Sequence, residues 1–372
     1  MTAPYTGPTL ATITSGIEAN IARVRSLCHA EIMAVVKADG YGLGAEHVAG
    51  AALNAGCTWL GTTDVVEASR LRRAGFSVPI LAWLHPAGLD VETAEAADVD
   101  IAIGSLEHLI QALRRGRGKL RIHLHLDTGM TRGGLPAYDW HDAMHWAAAG
   151  EKEKIFRVAG LMGHLPNADA AEPSANDAGL RSFDVAHKMA RKAGLAFEVR
   201  HVASTSATLT DPRSHYELVR IGAGLVGIDP SGSTELNPVA RLTCPVVHTR
   251  AVSEGSPVGY GGSGITQKAG FVSVLGLGYA DGIPQVLDRE AHVVIDGRAC
   301  RILGRVNMDQ IVVETGEWAA APGTEAIIMG LNPGEPTVQQ WAQWGNTSAH
   351  RIITGLGRRL HRVAATGQEE SA

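Results

Sequence analysis

The chain has few cysteines, and those few are badly placed for cross-links. Cys28, Cys57, Cys244 and Cys300 lie far apart with no Cys-x-x-Cys pair among them, so neither a disulfide framework nor a zinc site is indicated. Charge of one sign is also scarce. The 33 basic and 38 acidic residues leave a net −5, which gives no reason to invoke nucleic acid or an acidic membrane as a partner. No apolar run reaches transmembrane length, and no basic-then-apolar segment stands at the N-terminal end. These absences predict a reduced, soluble, cytoplasmic protein. His123 and His125 alternate on one strand face, but a metal site needs more ligands, so no metal is expected.

Glycine is what the chain holds in abundance, 44 of 372 residues, enough for many tight turns and close backbone approaches. Hydrophobic residues at 45% and charged residues at 19% make an ordinary globular balance. The length fits two domains, or one large barrel with an appendage.

Residues 1–8 are polar and proline-bearing and read as a loose head. Thr9 to Ile13 reads as a short strand. Ser15 to His29 follows with apolar residues at Ile17, Ile21, Val24 and Leu27, a helical spacing that Thr14 or Ser15 can cap. Strands are then expected at Ile32–Val36, Trp59–Thr62, Ile80–Trp83, Ile101–Ile103, Arg121–Leu126, Val158–Met162 and Val199–Val202, with a last one at Arg220-Ile221-Gly222. Helical patterns stand between them, at His47–Ala55, Val65–Ala74, Val91–Ala97, Leu106–Arg114, Tyr138–Ala149 and Ser182–Ala193, several stopped by glycine. This alternation predicts parallel βα units and fits a (β/α)8 barrel of roughly 230 residues. A doubly wound sheet is the alternative, because alternation alone does not distinguish closed from open.

After about residue 235 the texture changes. Thr243–Val252, Phe271–Leu277, His292–Ile295, Ala299–Val306, Gln310–Glu314 and Glu325–Met329 are strand-like and separated by Gly and Pro. Asp296-Gly297 is a hairpin signal. Val338–Trp344 reads as a short helix and Gly367–Ala372 as a polar tail. The expected organisation is a barrel over residues 1–235 and a β-rich domain over residues 236–372. Residues 9–13 are a candidate strand of the second.

The run Ile32-Met33-Ala34-Val35-Val36 ends on Lys37, followed by Ala38-Asp39-Gly40 and Tyr41. A lysine at the C-terminal end of a buried barrel strand stands where such barrels keep their active sites. Partial desolvation lowers its pKa and lets the amine attack a carbonyl. A surface lysine at a strand end is the plainer reading of that stretch alone.

Further motifs stand in order behind it: Asp127-Thr128-Gly129-Met130-Thr131-Arg132, Gly163-His164, Arg220-Ile221-Gly222, Val258-Gly259-Tyr260-Gly261, Gly278-Tyr279-Ala280-Asp281-Gly282 and Gly304-Arg305-Val306-Asn307-Met308-Asp309-Gln310. With Val36–Gly44 they resemble the motifs of the alanine racemases, in that family's order and over roughly residues 10–365. The resemblance implies a fold-type III pyridoxal 5′-phosphate enzyme. Lys37 would carry the cofactor covalently and then serve as a base on one face of the substrate Cα. The opposite face needs a second base, because one base cannot reach both. The resemblance assigns that role to Tyr260, contributed by the partner subunit of a homodimer, with His164 and Arg220 in a chain behind it. Arg220 would meet the cofactor's ring nitrogen. A guanidinium does not readily give up a proton, so the ring is kept a weak electron sink, which favours racemisation over side reactions.

Phosphate binding is implied for Tyr41, Thr205, Gly222 and Ala223, with Ser204 and Ser206 as neighbouring hydroxyls. Substrate-carboxylate binding is implied for Arg132, whose fork suits a carboxylate, and for the backbone of Met308. Several positions depart from the family pattern. Ser204-Thr205-Ser206 stands for Asn-Ser-Ala. His125 stands where many members have a modified lysine, so something else must orient Arg132. Thr131, Leu165–Asp169 and Leu356-Gly357-Arg358-Arg359 also differ. These changes cluster at the substrate pocket and leave alternatives to alanine open: serine or a bulkier amino acid, a lyase or decarboxylase on the same scaffold, and a non-catalytic cofactor carrier.

Overall fold

Eight short parallel strands form one sheet. Their ranges follow β1 (Thr9–Ile13), which belongs elsewhere: β2 (Glu31–Val35), β3 (Trp59–Thr62), β4 (Ile80–Ala82), β5 (Asp100–Ile103), β6 (Leu120–His125), β7 (Phe156–Met162), β8 (Val199–His201) and β9 (Leu218–Ile221). The structure, a computed structural model, describes residues 7–86, 88–170 and 172–366. The loose head expected over residues 1–8 lies outside these for residues 1–6, and the polar tail 367–372 lies outside them entirely.

The sheet order is β8-β7-β6-β5-β4-β3-β2-β9. Each strand neighbours its predecessor in the chain, except that β9 returns to pair with β2. A hydrogen bond from Arg220 N–H to the Ala203 carbonyl, 3.1 Å, joins β9 to the end of β8. This is the (β/α)8 barrel. A doubly wound sheet would reverse its strand order in the middle, and this one does not. Inward residues fill the interior, including Met33, Trp59, Leu81, Ala102, Met162, Val199 and Leu218.

Side-chain caps start three of the intervening helices. Asp64 accepts from Glu67 N–H at 2.9 Å, Asp90 from Thr93 N–H at 3.1 Å and Ser105 from His108 N–H at 3.2 Å. Gly56 (φ 99°) and Gly75 (φ 96°) close two helix ends in the left-handed region open to glycine.

The chain divides into two compact units, one spanning Ile17–Leu236 and the other joining the stretch up to Gly16 to the residues from Asn237 onward. The second unit is mostly strand: β10 (Ala240–Val252), β11 (Pro257–Val258), β12 (Gly264–Ile265), β13 (Gly270–Leu275), β14 (His292–Ile295), β15 (Arg298–Arg301), β16 (Ile311–Gly316), β17 (Glu325–Met329) and β18 (His361–Ala365). The strand β1 lies between β10, antiparallel, and β18, parallel. Asp296 (φ 45°) and Gly297 (φ 71°) make the tight hairpin between β14 and β15, the doubly positive turn that such a dipeptide favours. The strand expected at Ala299–Val306 is shorter: β15 ends at Arg301, Ile302 and Leu303 pair with Val313 and Val312 of β16 instead, and Gly304 (φ 71°) then turns the chain. The strand β18 carries no alternating pattern and is set by its pairing with β1. No helix among the described residues is long and apolar enough to cross a membrane.

Candidate active site

Lys37 is separated from the end of β2 by one residue, Val36, and opens an unusual turn. Ala38 (φ 52°, ψ 48°), Asp39 (φ 54°, ψ 49°) and Gly40 (φ 63°, ψ 40°) are left-handed in succession, and Tyr41 (φ 59°) continues the run. The non-glycine members each cost about 1–2 kcal/mol in that region, so the neighbourhood must hold them. Glu67 accepts from Ala38 N–H at 2.8 Å and from Thr63 N–H at 2.8 Å. Asp39 accepts from Ala45 N–H at 3.0 Å. The turn leaves Lys37 on the wall of a cavity and carries Tyr41 to Gly222, where an added Cβ would overlap the phenol oxygen.

The cavity, about 560 Å³, lies at the C-terminal ends of the strands and is lined by Lys37, His125, Asp127, Arg132 and His164, with Trp83 and His85 among its apolar and aromatic wall. Burial lowers the Lys37 amine from its ordinary value, the positive charge of Arg132 lowers it further, Glu67 opposes, and Arg220 adds to the depression. His164 is pushed down to about 3 by burial and by Arg220, Arg132, His125 and Lys37. His125 is pushed down to about 4 by burial, Arg220 and Arg132, so it is neutral. No hydrogen bond or ion pair holds Arg132 among the described residues. The loop that carries it is set by Asp127, which accepts from Gly129 N–H (2.9 Å) and Thr131 N–H (3.1 Å).

Arg220 is buried, and burial pulls its guanidinium down to about 10, still charged at neutral pH. One terminal nitrogen donates to His201 Nδ1 (3.0 Å) and the His201 carbonyl (2.9 Å). The other donates to the Gly163 carbonyl (2.8 Å) and His164 Nδ1 (3.1 Å), with the Val202 carbonyl at 3.3 Å. Arg220 Nε–H carries no bond among the described residues. Because Arg220 only donates, His164 Nδ1 must accept, and the His164 proton sits on Nε2.

Thr205 Oγ1 accepts from Gly222 N–H (3.3 Å) and Gly224 N–H (3.1 Å). Ala223 opens the short 3-10 turn Ala223–Val226 behind it. Tyr41, Thr205, Gly222 and Ala223 thus converge at one end of the barrel mouth. A nest of backbone N–H groups and hydroxyls suits a phosphate. The Tyr41 and Thr205 hydroxyls packed against Gly222, the unbonded Nε–H of Arg220 and the desolvated amine of Lys37 suit the three ends of pyridoxal phosphate: phosphate, ring nitrogen and aldehyde.

Tyr260 and Met308 belong to the β unit and line an open pocket of about 530 Å³ with Gly259, Asn307, Asp309 and Gln310. Tyr260 is 79% exposed and Met308 52%. Ala280 N–H donates to the Met308 carbonyl at 3.0 Å, and Met308 N–H carries no bond among the described residues. Arg359 ties the two neighbouring motifs together, pairing with Asp281 (2.9 and 3.0 Å) and Asp309 (2.7 Å). That is the contribution of the divergent Leu356–Arg359 segment.

Of the residues singled out in the sequence, the barrel brings together Lys37, Arg132 and His164 around one cavity, joins Arg220 to His164, and gathers Tyr41, Thr205, Gly222 and Ala223. Glu67 and His201 were missed. The inward period-two pattern of β6 and β8 was the available signal for His201, and the i+3 position after the Asp64 cap was the signal for Glu67.

A parallel barrel bearing a desolvated lysine beyond its first strand, followed by a β-sheet unit, defines a class of two-domain barrel enzymes that use an amine. The family model described as alanine racemase, N-terminal domain, matches residues 14–230, and that described as alanine racemase, C-terminal domain, matches residues 239–364. The chain belongs to the alanine racemase family. It is 41% identical over 341 residues to the alanine racemase of Thermobifida fusca, covering 90% of this chain and 91% of that one. The crystal structure of alanine racemase from D-cycloserine-producing Streptomyces lavendulae is 35% identical with a TM-score of 0.93, covering 99% of both chains. That of alanine racemase from Bartonella henselae with covalently bound pyridoxal phosphate is 26% identical with a TM-score of 0.86, covering 97% of this chain and 100% of that one.

Proposed function

We propose that this protein interconverts L-alanine and D-alanine with pyridoxal 5′-phosphate as its cofactor. The observation that carries the reading is the cavity shared by Lys37 and His164, with Arg220 bonded to His164 Nδ1 at 3.1 Å and an unbonded Nε–H to offer a ring nitrogen. The names of the relatives support the substrate and the Bartonella henselae structure supports the cofactor. When bound, pyridoxal phosphate withdraws electrons from Cα and makes its proton removable. Lys37 holds the cofactor and afterwards moves a proton at one face of Cα, a role its lowered pKa suits. Tyr41, Thr205 and the N–H groups of Gly222 and Ala223 hold the phosphate. Arg132 receives the substrate carboxylate. Arg220 supplies a fixed positive charge and no transferable proton.

The second base is the partner subunit's Tyr260, with the partner subunit's Met308 adding a backbone N–H for the carboxylate. The working unit is therefore a homodimer. Four buried thiols with no disulfide suit a reducing compartment such as the cytoplasm.

A panel of single-enantiomer amino acids in heavy water tests the reading through Cα deuteration and optical rotation. Alanine should exchange fastest. Absence of exchange with every amino acid would overturn it. Tyr260→Phe should slow racemisation by at least about 100-fold, the scale of a lost acid–base group.

A further inference from the structure

Arg220 is a buried cation with no carboxylate hydrogen-bonded to it among the described residues. Among the described residues its guanidinium bonds to carbonyls and to two imidazoles. A buried charge left so is costly unless polar groups compensate it. The compensation runs inward from the second imidazole. His201 Nε2 lies 2.8 Å from His123 Nδ1, and His123 Nε2 lies 3.3 Å from Asp100 Oδ2. The other Asp100 oxygen takes Arg121 at 2.6–2.7 Å, and Arg121 reaches the exposed Asp98 at 2.9 Å. His201, His123 and Asp100 are all wholly buried. The file starts at the C-terminal ends of β8 and β9, crosses the middle of β6, and ends on the first residue of β5. It therefore spans the barrel interior from the catalytic mouth to the opposite rim.

Its direction is fixed by chemistry. Arg220 can only donate, so His201 Nδ1 accepts and the His201 proton is on Nε2. His123 Nδ1 must then accept that proton's bond, and the His123 proton is on Nε2, facing Asp100. Every bond points from the guanidinium toward the carboxylate. Such aligned bonds polarise one another, which makes His201 Nδ1 a better acceptor for Arg220. The backbone makes room for this. The parallel register of β6 and β7 slips between Ile122 and His123, so that Gly160 stands opposite His123, and a Cβ on Gly160 would overlap the imidazole. A barrel that needed only filling would place an aliphatic side chain there.

We propose that His201, His123 and Asp100 are positioning residues for the reaction: a one-way hydrogen-bond chain through the barrel that fixes Arg220 in orientation and balances its charge with a carboxylate at the far rim. The cofactor-facing consequence rests on the function proposed above; the proton positions do not. Arg220 Nε–H and His164 Nε2–H are thereby kept open for the site.

The test has two parts. Imidazole nitrogen NMR of the cofactor-loaded protein should place the protons of His201 and His123 on Nε2. A proton on Nδ1 of either overturns the chain even if the protein proves no racemase. Two variants then break the chain at different links: Asp100→Asn removes the charge but keeps an acceptor, and Gly160→Ala displaces His123 without altering charge. Each should lower kcat about tenfold, with KM within about twofold and a shift in the cofactor's visible band, on the scale of outer partners of a binding group. Asp98→Asn, on the exposed rim, should leave kcat unchanged. Unchanged kcat and spectrum in both folded variants would overturn the positioning role and leave racemisation standing. Should both variants fail to fold, the proton positions in the parent still decide.

Discussion

The Glu67 carboxylate accepts the backbone N–H of Ala38 at 2.8 Å, the first residue after the site lysine. Its other oxygen takes Thr63 N–H at 2.8 Å, so one side chain ties the end of β3 to a left-handed turn that three non-glycine residues strain. Replacing Glu67 by Ala leaves two N–H groups without their acceptor and should destabilise the barrel by about 2–4 kcal/mol in urea unfolding. Glu67→Gln is the sharper variant. It removes the negative charge that raises the Lys37 pKa, while the depressing effects of burial, Arg132 and Arg220 remain. The Lys37 titration, followed by amine labelling of the cofactor-free protein, should move to still lower pH. A move upward would mean that Glu67 does not act on the lysine.

At the proposed phosphate end the limiting feature is space. A Cβ at Gly222 would collide with Tyr41, and one at Gly224 would lie 2.9 Å from Thr205 Cγ2. Gly222→Ala should therefore weaken pyridoxal phosphate binding by more than about tenfold, as read by equilibrium titration. Gly50→Ala, on a helix with open space around it, should leave binding unchanged. Equal binding by both variants would move the phosphate elsewhere.

Much of this was legible beforehand, for identifiable reasons. The barrel shows in the alternation of short apolar runs with glycine-stopped helical patterns, and Lys37 shows because its strand is continuous and apolar. The left-handed turn did not show. Ala38 and Tyr41 are not types that announce positive φ, and the run is anchored at Ala38 by Glu67 from another element. The file from Arg220 to Asp100 did not show either. His123 and His201 are 78 residues apart, and only strand register brings them together. Taken singly, each reads as a core histidine.

Several histidines are held neutral by burial, and the sign of the resulting pH dependence follows. His85 and His125 are lowered from 6.5 to about 4, and His164 to about 3, with burial the leading cause each time. Between those values and 6.5 the unfolded chain binds more protons than the folded one, so stability rises with pH and is lost as pH falls from 6.5 toward about 4. Each group adds a slope of up to about 1.4 kcal/mol per pH unit. Urea unfolding of the barrel at about pH 7 and about pH 5 should differ by a few kcal/mol. His125→Asn should flatten that difference by roughly one proton's worth, which separates the histidine from the carboxylates that titrate lower. An unchanged slope would show that His125 is protonated in the folded state.

The shared-site proposal has its own consequence. Lys37 lies on the barrel unit and Tyr260 on the β unit. If each working site takes its lysine from one subunit and its tyrosine from the other, then Lys37→Ala and Tyr260→Phe homodimers are both inactive, for different missing bases. Co-refolding equal amounts should give statistical mixing, with half the dimers mixed. In a mixed dimer one site lacks both bases and the other has both. Racemase activity should return to about a quarter of the parent's per site, as two-fold symmetry requires. If lysine and tyrosine of one site came from the same subunit, every site in the mixture would lack one base, and no activity would return at any mixing ratio.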